Sequence, residues 1–337
     1  MSSDSIGLVP AEARLRKGVS FVPLYEEVPC PVCVSSRRRE WRRIKGESTA
    51  RCRECGHIYA FPMPTETTIV EAYALPPDDY VRFFKCEGFE LTAYQRSTHA
   101  WQLRNARGYV RRLNQVRPQK GRLLELGCSS GVLLEVAQED GWDTAGVDPS
   151  GLSSRGEEVD LRLNIQRTTL FDAKLEEASF DFVFAASVVE HLTDPARYLR
   201  RLNVLLKPGG GLLIVALPNV RSFTIRLGAD CWIGNHPPGH LQFFSRDTIR
   251  LLLRRTGFEP ERLTVYGMPE TVLKFIFGKA AIAGAAPSPS ELLERPGLPS
   301  RLLGAARRVT YGAFDFFGIG SVMDVHAVKP RRGQPGA

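Results

Sequence analysis

Leu124-Glu125-Leu126-Gly127-Cys128-Ser129-Ser130-Gly131 is the stretch that decides the fold. An apolar run of the kind a buried strand uses ends at Gly127, and Gly131 opens an apolar segment with helical spacing. A glycine at the strand end lets backbone come close to a ligand. The spacing is G-x-x-x-G, not the G-x-G-x-x-G of dinucleotide binders, and no Walker lysine follows, so a phosphate cradle is disfavoured. An acidic residue, Asp148, closes the next strand within Val147-Asp148-Pro149, where a carboxylate can take both hydroxyls of a ribose.

Outward from this stretch, strand and helix alternate. The pattern predicts strands over 122–127, 142–148, 180–186, 211–217, 261–267 and 321–328. Helices are predicted over 131–141, 195–207 and 245–257, the last capped by Ser245. Such alternation implies an α/β domain with a mainly parallel sheet, whose ligands sit at the carboxyl ends of the strands near a switch point. Residues 65–116 read as mostly helical, broken at Leu75-Pro76-Pro77. They are rich in aromatics, including Tyr73, Tyr80, Phe84 and Tyr109, most of them expected in the core and one or two over a ligand.

Seven cysteines are present, and four are paired as Cys30-Pro-Val-Cys33 and Cys52-Arg-Glu-Cys55. The pairs stand at a spacing that suits a zinc ribbon, each turn presenting two thiolates to one ion. Four thiolates leave no open position, so the zinc is expected to be structural. Gly56 suits the tight turn that follows, and His57 reads as a bystander. Residues 37–53 carry eight Lys or Arg against Glu40 and Glu47; such a basic ribbon can bind nucleic acid, although a solvated face is the commoner use of a charge run. Phe61-Pro62-Met63-Pro64 ends the module.

The whole chain has 337 residues, 43% apolar and 24% charged, with a net charge of +8. This composition excludes wholesale disorder, a collagen, a coiled coil and a polytopic membrane protein. No secretory signal or 20-residue apolar span is visible, which predicts a cytoplasmic chain.

Residues 121–267 resemble the class I S-adenosylmethionine-dependent methyltransferases. The resemblance is carried by Glu125 to Gly131, the acidic Asp148, Phe180-Asp181-Phe182-Val183, Val189-Glu190-His191-Leu192 and Leu206-Lys207-Pro208-Gly209-Gly210-Gly211. It departs at Ser129, where many members carry glycine. It implies a Rossmann-like seven-stranded sheet, with the N-terminal zinc ribbon attached, and S-adenosylmethionine as cofactor. It also implies a cofactor site: Glu125 and Gly127 beside the amino-acid end, Asp148 on the ribose, Asp172 at the adenine amino group and Ser187 near the sulfonium, with Cys128 and Gly131 among the cofactor-binding residues. The four-cysteine module, the 61–64 exit and Gly239-His240-Leu241-Gln242-Phe243-Phe244-Ser245 are similar to a narrower group of zinc-module methyltransferases, several acting on sugars or small metabolites. Sugar C-methyltransferases of that group carry a Glu-His pair where Gly239-His240 stands here, and they have a further C-terminal domain.

An oxygen acceptor must lose a proton as it takes the methyl group, and a histidine near the cofactor suits that task. His240 and His191 are the candidate bases, with His236 a weaker third. The expected reaction is methyl transfer to a small hydroxylated metabolite, with O-methylation favoured. RNA methylation through the basic ribbon and a non-catalytic cofactor-binding scaffold are the alternatives.

The expected organisation is a tail (1–24), a zinc-binding module (25–66), a helical linker or cap (67–118), the methyltransferase core (119–267), a helical insertion (268–317), the last core strand (318–330) and a second tail (331–337). The insertion combines an apolar run (271–285), a Pro/Ser break and a basic helix (300–310), followed by Phe314, Phe316 and Phe317. Its readings are an acceptor-binding cap, a peripheral membrane patch or an oligomer contact.

Overall fold

The computed structural model describes residues 21–44, 46–85, 99–150, 155–222, 236–266 and 315–331. The chain begins with β1 (Tyr25–Glu26), β2 (Arg38–Ile44), β3 (Glu47–Cys52), β4 (Ile58–Ala60) and β5 (Met63–Pro64). Strands β2, β3 and β4 form an antiparallel meander, and β1 pairs with β5. Three helices follow: α1 (Glu66–Ala72), α2 (Pro77–Phe84) and α3 (His99–Val116). The break expected at Leu75-Pro76-Pro77 falls between α1 and α2, where Pro77 occupies the first helical turn, the one place its missing N–H costs nothing.

The core then alternates: β6 (Arg122–Leu126), α4 (Val132–Glu139), β7 (Asp143–Val147), α5 (Glu157–Arg162), β8 (Ile165–Gln166) and β9 (Phe180–Ala186). A short 3₁₀ turn (Val189–His191), α6 (Pro195–Leu205), β10 (Leu206–Pro218), β11 (Gln242–Phe243), α7 (Arg246–Arg255), β12 (Glu259–Tyr266) and β13 (Val322–Val328) complete it. The sheet runs β12-β13-β10-β9-β6-β7-β8. Strands from β10 to β8 are parallel, and β13 is antiparallel to both of its neighbours. The sheet is thus seven-stranded, mixed and Rossmann-like. The chain changes winding direction between β6 and β9, which opens a crevice at their carboxyl ends.

Period-two alternation explains why both faces are dry. Leu124, Leu126, Val183, Ala185 and Ile214 pack on one side; Leu123, Phe182, Phe184, Leu213 and Val215 pack on the other. Ser245 caps α7 as expected, in a reciprocal pair with Thr248. The sequence located no strand at β8, which is only two residues long and has no periodicity to read. Strand β10 starts five residues earlier than expected, because Leu206 already stands opposite Phe180 of β9 and the backbone of Gly209 and Gly210 bonds to Lys329, just past β13.

The main core cluster spans both parts of the chain: Cys30, Val32, Ala50, Tyr59 and Met63 belong to the same packed body as Leu124, Val183 and Phe244. Strand β4 also takes β11 as a fourth strand of its sheet, Gln242 opposite Tyr59 and Phe243 opposite Ile58. No described helix is long and apolar enough to cross a membrane. The 1–20 and 332–337 parts of the tails, Cys86, Cys231 and the insertion as far as residue 314 lie outside the described residues. Phe316 and Phe317 are described and are 81% and 67% exposed.

Candidate active site and thiolate cluster

A cavity of about 660 Å³ lies at the carboxyl ends of β6, β7 and β9. Its floor is Gly127, Ser129, Asp148 and Ser187. Gly127 has φ +71°, and a Cβ there would come within 2.5 Å of a Val188 methyl. Only glycine fits both the backbone angle and the space. Asp148 is nearly buried; its Oδ2 accepts from the Ser129 N–H and its Oδ1 from the Ser150 N–H, each at 2.7 Å. Burial pushes its carboxyl up, while the two amides pull it back down. Each oxygen keeps a second lone pair, which suits a diol.

Arg167 fastens this floor from below. It grips Asp160 with two nitrogens at 2.7 and 2.8 Å and donates to the Ser129 carbonyl at 2.7 Å. Nothing in the local sequence signals Arg167, whose partners are Asp160 on α5 and Ser129 in the loop after β6.

The remaining expected cofactor residues lie around the floor. Glu125 is buried beneath the loop; burial raises its carboxyl well above the usual range, and its Oε2 has no partner among the described residues. Cys128 packs with Leu134, Leu163 and Ile165 instead of facing the cavity. Gly131 precedes α4 at φ +73° and packs on Leu163 and Ile165. Asp172 is exposed and is not among the residues that line the cavity. Its carboxylate is turned onto the Thr169 hydroxyl at 2.5 Å, and Thr169 and Leu170 face the cavity in its place.

One wall comes from the helical cap: Ile69 and Val70 on α1, Tyr73 directly after it, and Tyr80 on α2. Glu66 anchors this wall, accepting from Tyr198 Oη and Arg197 Nη1 of α6 at 2.7 Å each.

The opposite wall carries both expected histidines. His191 and His240 line the cavity with ring centres 4.6 Å apart, edge to face. His191 Nδ1 lies 2.5 Å from the Gly239 carbonyl. A carbonyl only accepts, so Nδ1 bears the hydrogen and Nε2 the lone pair. Burial lowers the pKa of both rings, well below the usual value for His240, so both are neutral near pH 7. Glu190 sits fully buried beside them, its carboxyl pushed up to about 8 by burial, with Oε2 unpartnered among the described residues. One ligand atom each from Glu190, His191 and His240 lies within 4.8 Å of the others, a group whose donors could hold a divalent ion. His236 is also buried, its Nδ1 2.9 Å from the Pro237 carbonyl, and it does not line the cavity.

At the other end of the ribbon, the sulfurs of Cys30, Cys33, Cys52 and Cys55 lie within 4.8 Å of one another. Cys30 to Cys55 is 3.6 Å and Cys33 to Cys52 is 3.5 Å. Zinc–sulfur bonds of about 2.3 Å in a tetrahedron give edges of about 3.8 Å, so the four thiols match such a site. Gly56 turns at φ +75° directly after it. His57 stands outside the four-thiol group; it is fully buried, and its Nε2 meets Gln242 Oε1 at 2.9 Å.

Sheet order, the glycine at the end of β6 and the carboxylate at the end of β7 together define a class I S-adenosylmethionine-dependent methyltransferase fold. A family profile described as a methyltransferase domain matches residues 95–263, half of the chain, and the chain belongs to that family. Among curated proteins, it is 32% identical over 151 residues to a ubiquinone biosynthesis O-methyltransferase of Cereibacter sphaeroides, covering 41% of this chain and 60% of that one. It is 32% identical over 163 residues to the protein of the same name from Dinoroseobacter shibae, covering 45% and 66%. The chain therefore spans about 60–66% of the length of these relatives. A solved S-adenosylmethionine-dependent methyltransferase structure from Thermotoga maritima overlaps 77% of this chain and 99% of its own, at TM-score 0.42 and 19% identity.

Proposed function

We propose that this chain transfers a methyl group from S-adenosylmethionine to a hydroxyl of a small metabolite, with a sugar, glycan precursor or natural-product intermediate as the acceptor class. The observation that carries the reading is the pair of histidine rings, centres 4.6 Å apart, on the wall of the cavity whose floor is Gly127 and Asp148. Asp148 would hold the ribose hydroxyls, Gly127 would let the amino-acid end lie against backbone, and Ser187 would flank the sulfonium. The cofactor supplies an already electrophilic methyl group. The protein's share is alignment of the acceptor and removal of its proton.

His191 and His240 are suited to that second task, because a neutral imidazole can take the proton as the oxygen attacks. His191 Nε2 carries a lone pair already oriented by the Gly239 carbonyl behind it. Tyr73, Tyr80, Ile69 and Leu170 offer apolar surface to the acceptor's ring or chain, while Thr169 and Thr193 offer hydroxyls. The relatives named as O-methyltransferases favour oxygen as the acceptor atom. Cys30, Cys33, Cys52 and Cys55 would hold a structural zinc ion, whose contribution is to folding and not to methyl transfer.

The test uses purified protein, cofactor labelled in the methyl group, and separated small-molecule, lipid, RNA and protein fractions of a cell extract. Label in the small-molecule fraction, lost in His240→Ala while cofactor affinity holds, is the expected result. Label in RNA would overturn the reading and make the arginines of β2 and β3 the recognition surface.

A further inference from the structure

Gln242 occupies an unusual position. It lies on β11, the strand that the ribbon borrows from the loop carrying His240. Its side chain is buried and fully engaged: Nε2 donates to the Leu192 carbonyl at 2.9 Å and to that of Thr193 at 3.4 Å, while Oε1 faces His57 Nε2 at 2.9 Å. The two carbonyls fix which end of the amide carries nitrogen, and the oxygen end then requires a hydrogen on His57 Nε2. One amide therefore touches three segments: the knuckle after Cys55, the chain after His191, and its own loop two residues past His240.

Backbone bonds reinforce this junction. The Ala60 N–H donates to the Leu241 carbonyl at 2.9 Å, the Leu241 N–H to the Glu190 carbonyl at 2.8 Å, and the Cys52 N–H to the His57 carbonyl at 2.8 Å. The His57 ring also packs against Phe244, with centres 4.9 Å apart. The Leu241 bond to the Glu190 carbonyl and the Gly239 carbonyl's bond to His191 Nδ1 thus both lie within two residues of Leu241, whose own carbonyl accepts from Ala60 of the ribbon.

We propose that Gln242 is a positioning residue: by clamping His57 of the four-thiolate knuckle to the carbonyls after His191, its amide makes the ribbon hold His240 against His191. The knuckle is then a brace for one wall of the cavity, on a different side from the cofactor floor. The inference rests on the reading of that wall as the acceptor side.

Amide hydrogen exchange tests it without an acceptor. The zinc-loaded full chain is compared with zinc-loaded Gln242→Leu, His57→Leu and His57→Gln variants, and with wild-type protein stripped by a chelator. In Gln242→Leu and His57→Leu, residues 188–193 and 236–245 are expected to exchange about tenfold faster, while 122–148 and cofactor affinity stay as in wild type. His57→Gln, which keeps an N–H donor, is expected to restore slow exchange. Stripping zinc should loosen the same two segments, and this arm stands even where a variant fails to fold. Unchanged exchange in both segments would overturn the proposal, as would equal loosening of 122–148, which would make the junction a matter of general stability. Loosened segments in a chain that labels no extract fraction would keep the brace and discard the proposed reaction.

Discussion

Asp148 gives one lone pair of each carboxylate oxygen to the protein's own backbone, at Ser129 and Ser150, and so is held in place before any ligand arrives. Such preorganisation is what a short bidentate contact to a diol needs. Asp148→Ala is expected to weaken S-adenosylmethionine binding on the order of a hundredfold, as judged by titration calorimetry, since two charge-assisted bonds are lost. Glu190 poses the opposite problem, a buried carboxyl whose Oε2 has no partner among the described residues. Its pKa lies near 8 in the folded chain against 4.5 for an ordinary glutamate. The folded state therefore holds this proton more tightly, and the stabilisation present below about pH 4.5 is lost as pH rises through 8. Glu190→Gln should leave stability nearly unchanged at pH 5 and raise it by roughly 1–3 kcal/mol at pH 9 in denaturant unfolding. Equal pH dependence in the two proteins would refute that account. At this scale the sequence was legible where a side chain acts through its neighbours: Gly127, Asp148 and Gly56 announce themselves by local spacing. It was illegible where the partner lies far along the chain, as for His57 with Gln242 and Arg167 with Ser129. The Asp172 carboxylate accepts from the Thr169 hydroxyl three residues away, and no motif reveals which partner a carboxylate takes.

Among the elements, the central strands were readable because burial on both faces writes continuous apolar runs such as Phe180–Ala186. Strands β8 and β11, of two residues each, are made by their neighbours' unpaired edges and leave no pattern. Helix α7 was readable at its start because Ser245 and Thr248 satisfy each other's backbone donors. Ser245→Ala should cost about 1 kcal/mol and lower the melting temperature by a few degrees, without changing the metal content. A neutral substitution would mean that the buried hydroxyl pair contributes nothing beyond packing. The aromatics of residues 65–116 were expected mostly in the core with one or two over a ligand; Tyr73 and Tyr80 line the cavity, while Phe84 is buried. Aromatic spacing alone does not distinguish a wall from a core.

Taken whole, the molecule shares one apolar body between its ribbon and its parallel sheet. Boundaries drawn by motif at residue 66 therefore do not coincide with a gap in packing. Thermal unfolding of the zinc-loaded chain is expected to show a single transition, and two well-separated transitions would reveal an independent ribbon. The surface charge of +8 is spread over a molecule in which several ribbon arginines are already paired, Arg37 with Glu54 and Arg38 with Glu27, which lessens the pull of that face on a polyanion.

The strand that closes the ribbon's edge also imposes an order on synthesis. Chain leaves the ribosome from its N-terminus, so the four thiols and β4 emerge long before Gln242 and Phe243 exist. A nascent ribbon can gather its metal early, yet it must wait with an open strand edge until the core sheet has been made. That edge is sticky in the meantime, and its eventual capture joins an early-made part of the chain to a much later one beside its cavity.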